Sequence, residues 1–193
     1  MTELRIYASK VAGMETDHDS AVFEAREPFI CTSNSSRISA ELKKRGIQFQ
    51  HLASKPEIKK GASNSQVLKA YESLIASVQK DEKYQTVDVM RVCRDDPNNE
   101  SLRQTFLQEH QHQEDEVRFF VEGCGLFSLH IDDEEIQVSC QAHDWIMIPA
   151  GTRHWFDMGT NPSYCVIRFF NNSEGWLATA PPDPIADDHP GLD

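Results

Sequence analysis

Between residues 115 and 170, apolar and polar positions alternate in short runs: EVRFFVEG, LFSLHI, EIQVSC, DWIMIPAG, HWFDM and YCVIRFF. Turn-forming residues separate them at Gly123-Cys-Gly125, Asp132-Asp-Glu-Glu135, Pro149-Ala-Gly151 and Asn161-Pro162. Several short strands at close spacing predict an antiparallel sandwich or barrel. The N-terminal half mixes two periods. LRIYAS at 4–9, IQFQHL at 47–52 and TVDVMRVC at 86–93 read as strands. Residues 36–45 read as an amphipathic helix with Ile38 and Leu42 inward. Lys43, Lys44 and Arg45 suit its negative C-terminal end, and Gly46 its left-handed stop. Ser63-Asn-Ser-Gln66 fits a capping box, whose cap alone contributes about 1 kcal/mol. It opens one helix carrying Val67, Leu68, Tyr71, Leu74, Ile75 and Val78 at helical spacing. A turn at 95–99 leads into a helical stretch at 101–107. The tail from 181 to 193 is acidic and proline-rich, and reads as a loose strap or a disordered end.

A different pattern interrupts this alternation. QEHQHQEDEVRFF places His110, His112 and Glu116 in the order His-x-His-x-x-x-Glu, and Pro149-Ala-Gly151-Thr-Arg-His154 closes on another histidine. Positions 110, 112 and 116 share one parity, so in a single extended strand all three side chains would leave the same face. Two imidazoles and a carboxylate on one face are hard to explain as packing. They are the ligand types that hold Fe(II), Ni(II), Mn(II) or Zn(II) at an open site. Arg118 and Phe120 continue that parity, placing a guanidinium beside the carboxylate and an aromatic ring beyond it. The competing reading of Arg118 is a surface ion-pair partner. For Arg168 the facing is open, and Phe106, Phe156 and Trp176 fit a plain apolar core as readily as a pocket wall. Glu114, Asp115 and Glu122 read as a solvated acidic face, and His18, His51, His130, His143 and His189 as ordinary histidines.

Composition narrows the function. At 193 residues the chain suffices for one domain with a sizeable core. Its 19 Lys and Arg against 31 Asp and Glu give a net charge of -12, which repels nucleic acid and anionic membrane. No apolar run approaches the roughly 20 residues of a membrane span, and MTELRIYASKVAG lacks the apolar stretch of a secretory signal. The 5 cysteines show no CxxC pair and read as reduced, mostly structural thiols of a cytoplasmic protein. The acidic surface and the lack of an obvious apolar helix face predict a monomer.

The histidine motif, with Gly123 after Glu116 and Pro149-x-Gly151-x-x-His154 one hairpin later, resembles the two motifs of the cupin superfamily. Gln104 stands where a glycine is frequent in that pattern, and Met158 where an asparagine is. Taken with IMIPAGTRHWFDMG and VIRFFNNSEGW, the motif resembles acireductone dioxygenase of the bacterial type, over nearly the whole chain except the tail. The resemblance implies a mainly β fold, a cupin double-stranded β-barrel with a few N-terminal helices. It implies one domain over residues 1–180, with 1–95 packed on a metal-binding barrel at 96–180. It further implies metal ligands at His110, His112, Glu116 and His154, and a substrate-facing Arg118. Phe106, Glu109, Phe156, Arg168 and Trp176 would stand around the pocket. The expected cofactor is one Fe(II) or Ni(II) per chain. The expected reaction is cleavage of a 1,2-dihydroxy-3-keto-5-methylthiopentene by O2, in methionine salvage. The iron form would give formate and 4-methylthio-2-oxobutanoate. The nickel form would give formate, carbon monoxide and 3-methylthiopropanoate. Two other readings remain from the residues: another metal-dependent cupin, either a different dioxygenase or an isomerase, and a cupin that only binds a ligand.

Overall fold

The computed structural model describes residues 1–8, 27–53, 56, 58–59, 61–80, 83–172, 177–182 and 191–192. Trp176, His18, His189 and most of the tail lie outside the described residues. Among the described residues, twelve strands and four helices follow in chain order: β1 (Glu3–Ala8), β2 (Ile30–Thr32), α1 (Ser35–Lys44), β3 (Gln48–His51), α2 (Asn64–Ala70), α3 (Glu72–Gln79), β4 (Thr86–Val92), α4 (Asn99–Phe106), β5 (Gln111–His112), β6 (Glu116–Glu122), β7 (Cys124–Ile131), β8 (Glu134–Gln141), β9 (Asp144–Ile148), β10 (Arg153–Asp157), β11 (Tyr164–Phe170) and β12 (Ala178–Thr179).

Ten of these strands make two five-stranded sheets, ordered β10-β7-β8-β1-β2 and β3-β9-β6-β11-β4, and β5 and β12 make a two-stranded one, with all pairs antiparallel. Alternation decides the layers. Phe120 of β6, Phe127 and Leu129 of β7, Ile136 and Val138 of β8 and Leu4 and Ile6 of β1 meet in one buried cluster, joined by Ile38 and Leu42 of α1. The odd-numbered residues of β6, namely Val117, Phe119 and Val121, point the other way. They meet Ile167 and Phe169 of β11 and Val67, Tyr71 and Ile75 of the helices in a second cluster. Hence β6 is buried on both faces, and its sequence reads as nearly continuous apolar residues interrupted by Glu116 and Arg118.

The N-terminal strands pair into the barrel sheets: β1 pairs with β8, while β3 and β4 form the edges of the second sheet. One detail differs from the expectation. The helix opened by Ser63 is two helices, broken at Tyr71 (φ -101°, ψ 16°). That break sets the Tyr71 ring edge-on to Phe119 at 5.0 Å, while Val67 and Ile75 stay on the same cluster. The Leu192 amide donates to Asp157 Oδ2 at 3.0 Å. Between β6 and β7, Gly123 takes φ 76°, and a Cβ there would stand 2.1 Å from the Ser163 carbonyl, so no other residue fits.

Candidate metal centre

His110, His112, Glu116 and His154 converge, with one donor atom from each lying within 4.8 Å of the others. They do not share a strand. A bend after His112 separates β5 from β6, so the parity that places Arg118 beside Glu116 is not what gathers the histidines. Glu116 opens β6 in one sheet, and His154 lies on β10 in the other. His110 joins them through an antiparallel bridge to His154, with both amide-to-carbonyl bonds at 2.9 Å. The site therefore sits where the two sheets meet at one end of the barrel.

Each imidazole is oriented by a backbone carbonyl at Nδ1. The acceptors are Gln108 for His110 (2.7 Å), Thr152 for His154 (2.8 Å) and Leu177 for His112 (3.2 Å). A carbonyl only accepts, so each Nδ1 carries the proton and each Nε2 of a neutral ring is left as a donor of electrons. Two of these nitrogens approach the same carboxylate oxygen, Glu116 Oε2, His154 at 2.9 Å and His112 at 3.1 Å. Neutral rings in that tautomer cannot hydrogen-bond to an ionised carboxylate through Nε2. A divalent cation among the four groups would resolve the conflict, and the carbonyls would then be the outer partners that fix the imidazoles as ligands. Burial pushes His110 down to about 4, which keeps it neutral and able to ligate. Burial alone would raise Glu116, but the Arg118 guanidinium holds its carboxyl below the usual range. The residues fit a metal.

Arg118 is buried (5 % exposed), and its Nε stands 2.6 Å from Glu116 Oε1. Its guanidinium lies over the rings of Phe156 (4.8 Å) and Phe127 (5.1 Å), so it is no surface ion-pair partner. A cavity of about 380 Å³ holds the four candidate ligands, Arg118, Phe106, Glu109, Phe156 and Arg168 together. Phe120, by contrast, is fully buried in the barrel interior, behind this wall. Arg168 faces the cavity in direct register with Arg118 on one side and Asp88 on the other. Asp88 grips it through both Nε (2.9 Å) and Nη2 (2.6 Å). Glu109 accepts from Arg153 at 2.8 and 3.0 Å, a clamp between the residues just before His110 and His154.

Several partners were invisible in the sequence. Asp88, Leu177, Ala178 and Ala180 carry no motif, and each reaches the site from a distant segment. Arg153 stands within the Pro149-to-His154 motif, where nothing marks it as the partner of Glu109. Asp115 is not part of a solvated face. It is buried and accepts from Tyr84 (2.9 Å) and the Ala150 amide (3.1 Å), and pairs with Lys83, pinning the turn ahead of His154 to the start of β6. Glu122 pairs with Arg91 at 2.9 Å, and His51 with the buried Asp144 at 2.7 Å. All five cysteines are free, with Cys140 and Cys165 buried and Cys31, Cys93 and Cys124 exposed, so structural burial holds for two of them. Among the described residues no helix is long and apolar enough to cross a membrane.

Known proteins resemble this chain in sequence and in fold. Residues 20–178 match the model of the ARD/ARD' family. An acireductone dioxygenase of Synechococcus sp. (strain CC9311) is 67% identical over 193 residues, covering 100% of this chain and 96% of that protein. One of Prochlorococcus marinus (strain MIT 9313) is 53% identical over 161 residues, covering 83% of this chain and 87% of the relative. In three dimensions, the acireductone dioxygenase from Bacillus anthracis with cadmium ion in its active center superposes with a TM-score of 0.71. The superposition covers 93% of this chain and 98% of that one at 24% identity, which establishes the shared cupin fold. By the family match and by identity over its full length, this chain is a member of the ARD/ARD' family.

Proposed function

We propose that the protein is a metal-dependent acireductone dioxygenase, which cleaves 1,2-dihydroxy-3-keto-5-methylthiopentene with O2 in methionine salvage. One observation carries this reading: three imidazole nitrogens and one ionised carboxylate face a common point beside a buried arginine, in a cavity of about 380 Å³. His110, His112, Glu116 and His154 would hold one Fe(II) or Ni(II) per chain. When bound, such an ion supplies Lewis acidity and a template for a chelating enediolate. The ligand set brings only one negative charge, so the site stays net positive toward an anionic substrate. Arg118 adds a second cation within the same wall, held rigid by Glu116 and two aromatic rings. Those rings displace water from the guanidinium, and a drier site strengthens its attraction for substrate oxygens. Arg168, fixed by Asp88, extends the cationic wall along the cavity.

The product set follows the metal in this reading. Iron goes with formate and 4-methylthio-2-oxobutanoate, and nickel with formate, carbon monoxide and 3-methylthiopropanoate. Residues 1–180 act as one unit, as a cytoplasmic monomer. The deciding experiment measures O2 consumption by the metal-loaded protein on the acireductone. An isomerase or a ligand-binding cupin would consume none.

A further inference from the structure

We propose that residues 177–180 form a strap that decides which acireductones the site accepts, with Ala178 and Ala180 as the wall met by the substituent beyond the enediol. This rests on the activity proposed above. The strap lies directly on the metal site. Ala178 pairs with His112 and Thr179 with Gln111, and the Thr179 hydroxyl donates to the Gln111 carbonyl at 3.2 Å. Ala178 and Ala180 line the same cavity as Arg118, Phe106 and Phe156. Residues 177–180 are all exposed, so Ala178 and Ala180 border the cavity without being part of a packed core. A methyl group is the smallest side chain that still closes the wall. Any larger residue at these positions would take volume from the cavity rather than from a packed core.

The wall is also tied to the metal site at one point. His110 and His154 are oriented by carbonyls two residues earlier on their own loops, whereas His112 is oriented by Leu177, 65 residues away. The strap's distance from the metal site is therefore set by the hydrogen bond from the His112 ring to the Leu177 carbonyl and by two residue pairs, Ala178 with His112 and Thr179 with Gln111. That makes it a ruler: a substrate chelated at the ligands places its substituent at a fixed distance from Ala178 and Ala180. Bulk added there is felt first by the longest substrates.

The test uses the full chain loaded with Ni(II), and two acireductones, one ending in the methylthioethyl group and one ending in methyl. Ala178→Leu and Ala180→Leu are compared with wild type. The preference for the long substrate, as a ratio of kcat/KM values, should fall by about 10-fold or more, chiefly through KM, since even one methylene in a fitted pocket is worth roughly that much. Turnover of the short substrate should stay within about threefold, well below the effect of lost fit. Metal content, and the visible spectrum of the Co(II)-loaded forms, should match wild type and so show His112 undisturbed. If Ala178→Leu loses metal, Ala180→Leu, which lies outside the paired residues, decides alone. An unchanged ratio with metal retained overturns the wall. A wild-type protein that consumes neither substrate overturns the activity itself, and the wall with it.

Discussion

Replacing Arg118 with alanine isolates the part of the site that is not a metal ligand. In the folded chain its guanidinium is 2.6 Å from Glu116 Oε1 and lies over Phe156 and Phe127, with the side chain almost wholly buried. Two losses follow, and they separate. Removing a positioned cation from developing negative charge costs about 10²–10³ in kcat, or about 3–4 kcal/mol. Removing the partner of a buried carboxylate costs about 3–5 kcal/mol of folding stability when nothing replaces it. A bound divalent ion does replace it, because Glu116 then faces the metal. Metal should therefore raise the Tm of Arg118→Ala by more than it raises that of wild type, while kcat/KM stays depressed in the loaded form. Arg118→Lys should restore part of the stability and little of the rate, since a point charge does not reproduce a planar fork stacked on two rings. The assay is O2 uptake at saturating and limiting acireductone, with metal analysis and thermal unfolding of stripped and loaded protein. An alanine variant with full metal and wild-type kcat/KM would refute the role given to this residue.

Alanine at His112 or His154 should lose most bound metal while the stripped protein keeps its far-ultraviolet spectrum, because both sheets close without the ligands; full metal occupancy in both variants would remove them from the site. Stripped protein reloaded with Fe(II) or Ni(II) should keep one fold yet switch carbon monoxide release off or on, read in the headspace gas; identical products would mean that the chain alone directs cleavage. Asp157 is buried, which would raise its carboxyl, but Arg103 and the amides of Leu192 and Gly159 hold it below 3.8. Its ionised form thus stabilises the fold above that ordinary value, and the contribution is lost as pH falls through the depressed one. Asp157→Asn should cost about 1–3 kcal/mol at neutral pH and flatten the acid limb of the stability profile, followed by urea unfolding between neutral pH and pH 3. An acid limb as steep as wild type would mean that another carboxylate sets it.

What the chain determines by itself is the chemistry and much of the secondary structure. Imidazole and carboxylate in the order His-x-His-x-x-x-Glu, then His154, leave few uses other than metal, and this is legible because ligand types are a property of single residues. Alternation in 115–170 predicts the strands because side-chain direction has a period of two on any strand. It places Arg118 beside Glu116 for the same reason: the two share β6. The parity fails for His110 and His112 because the chain bends after His112, and their convergence comes from a bridge to β10 and a pairing with β12. Only the tertiary structure decided that Asp88 holds Arg168, that Arg153 clamps Glu109, that Asp115 is buried beneath Tyr84, and that the Leu177 carbonyl orients His112. Each of these joins segments far apart in the chain. Which residues face one another there depends on the register of strands brought together from across the chain, and register is set by the packing of the whole barrel rather than by any local run of residues.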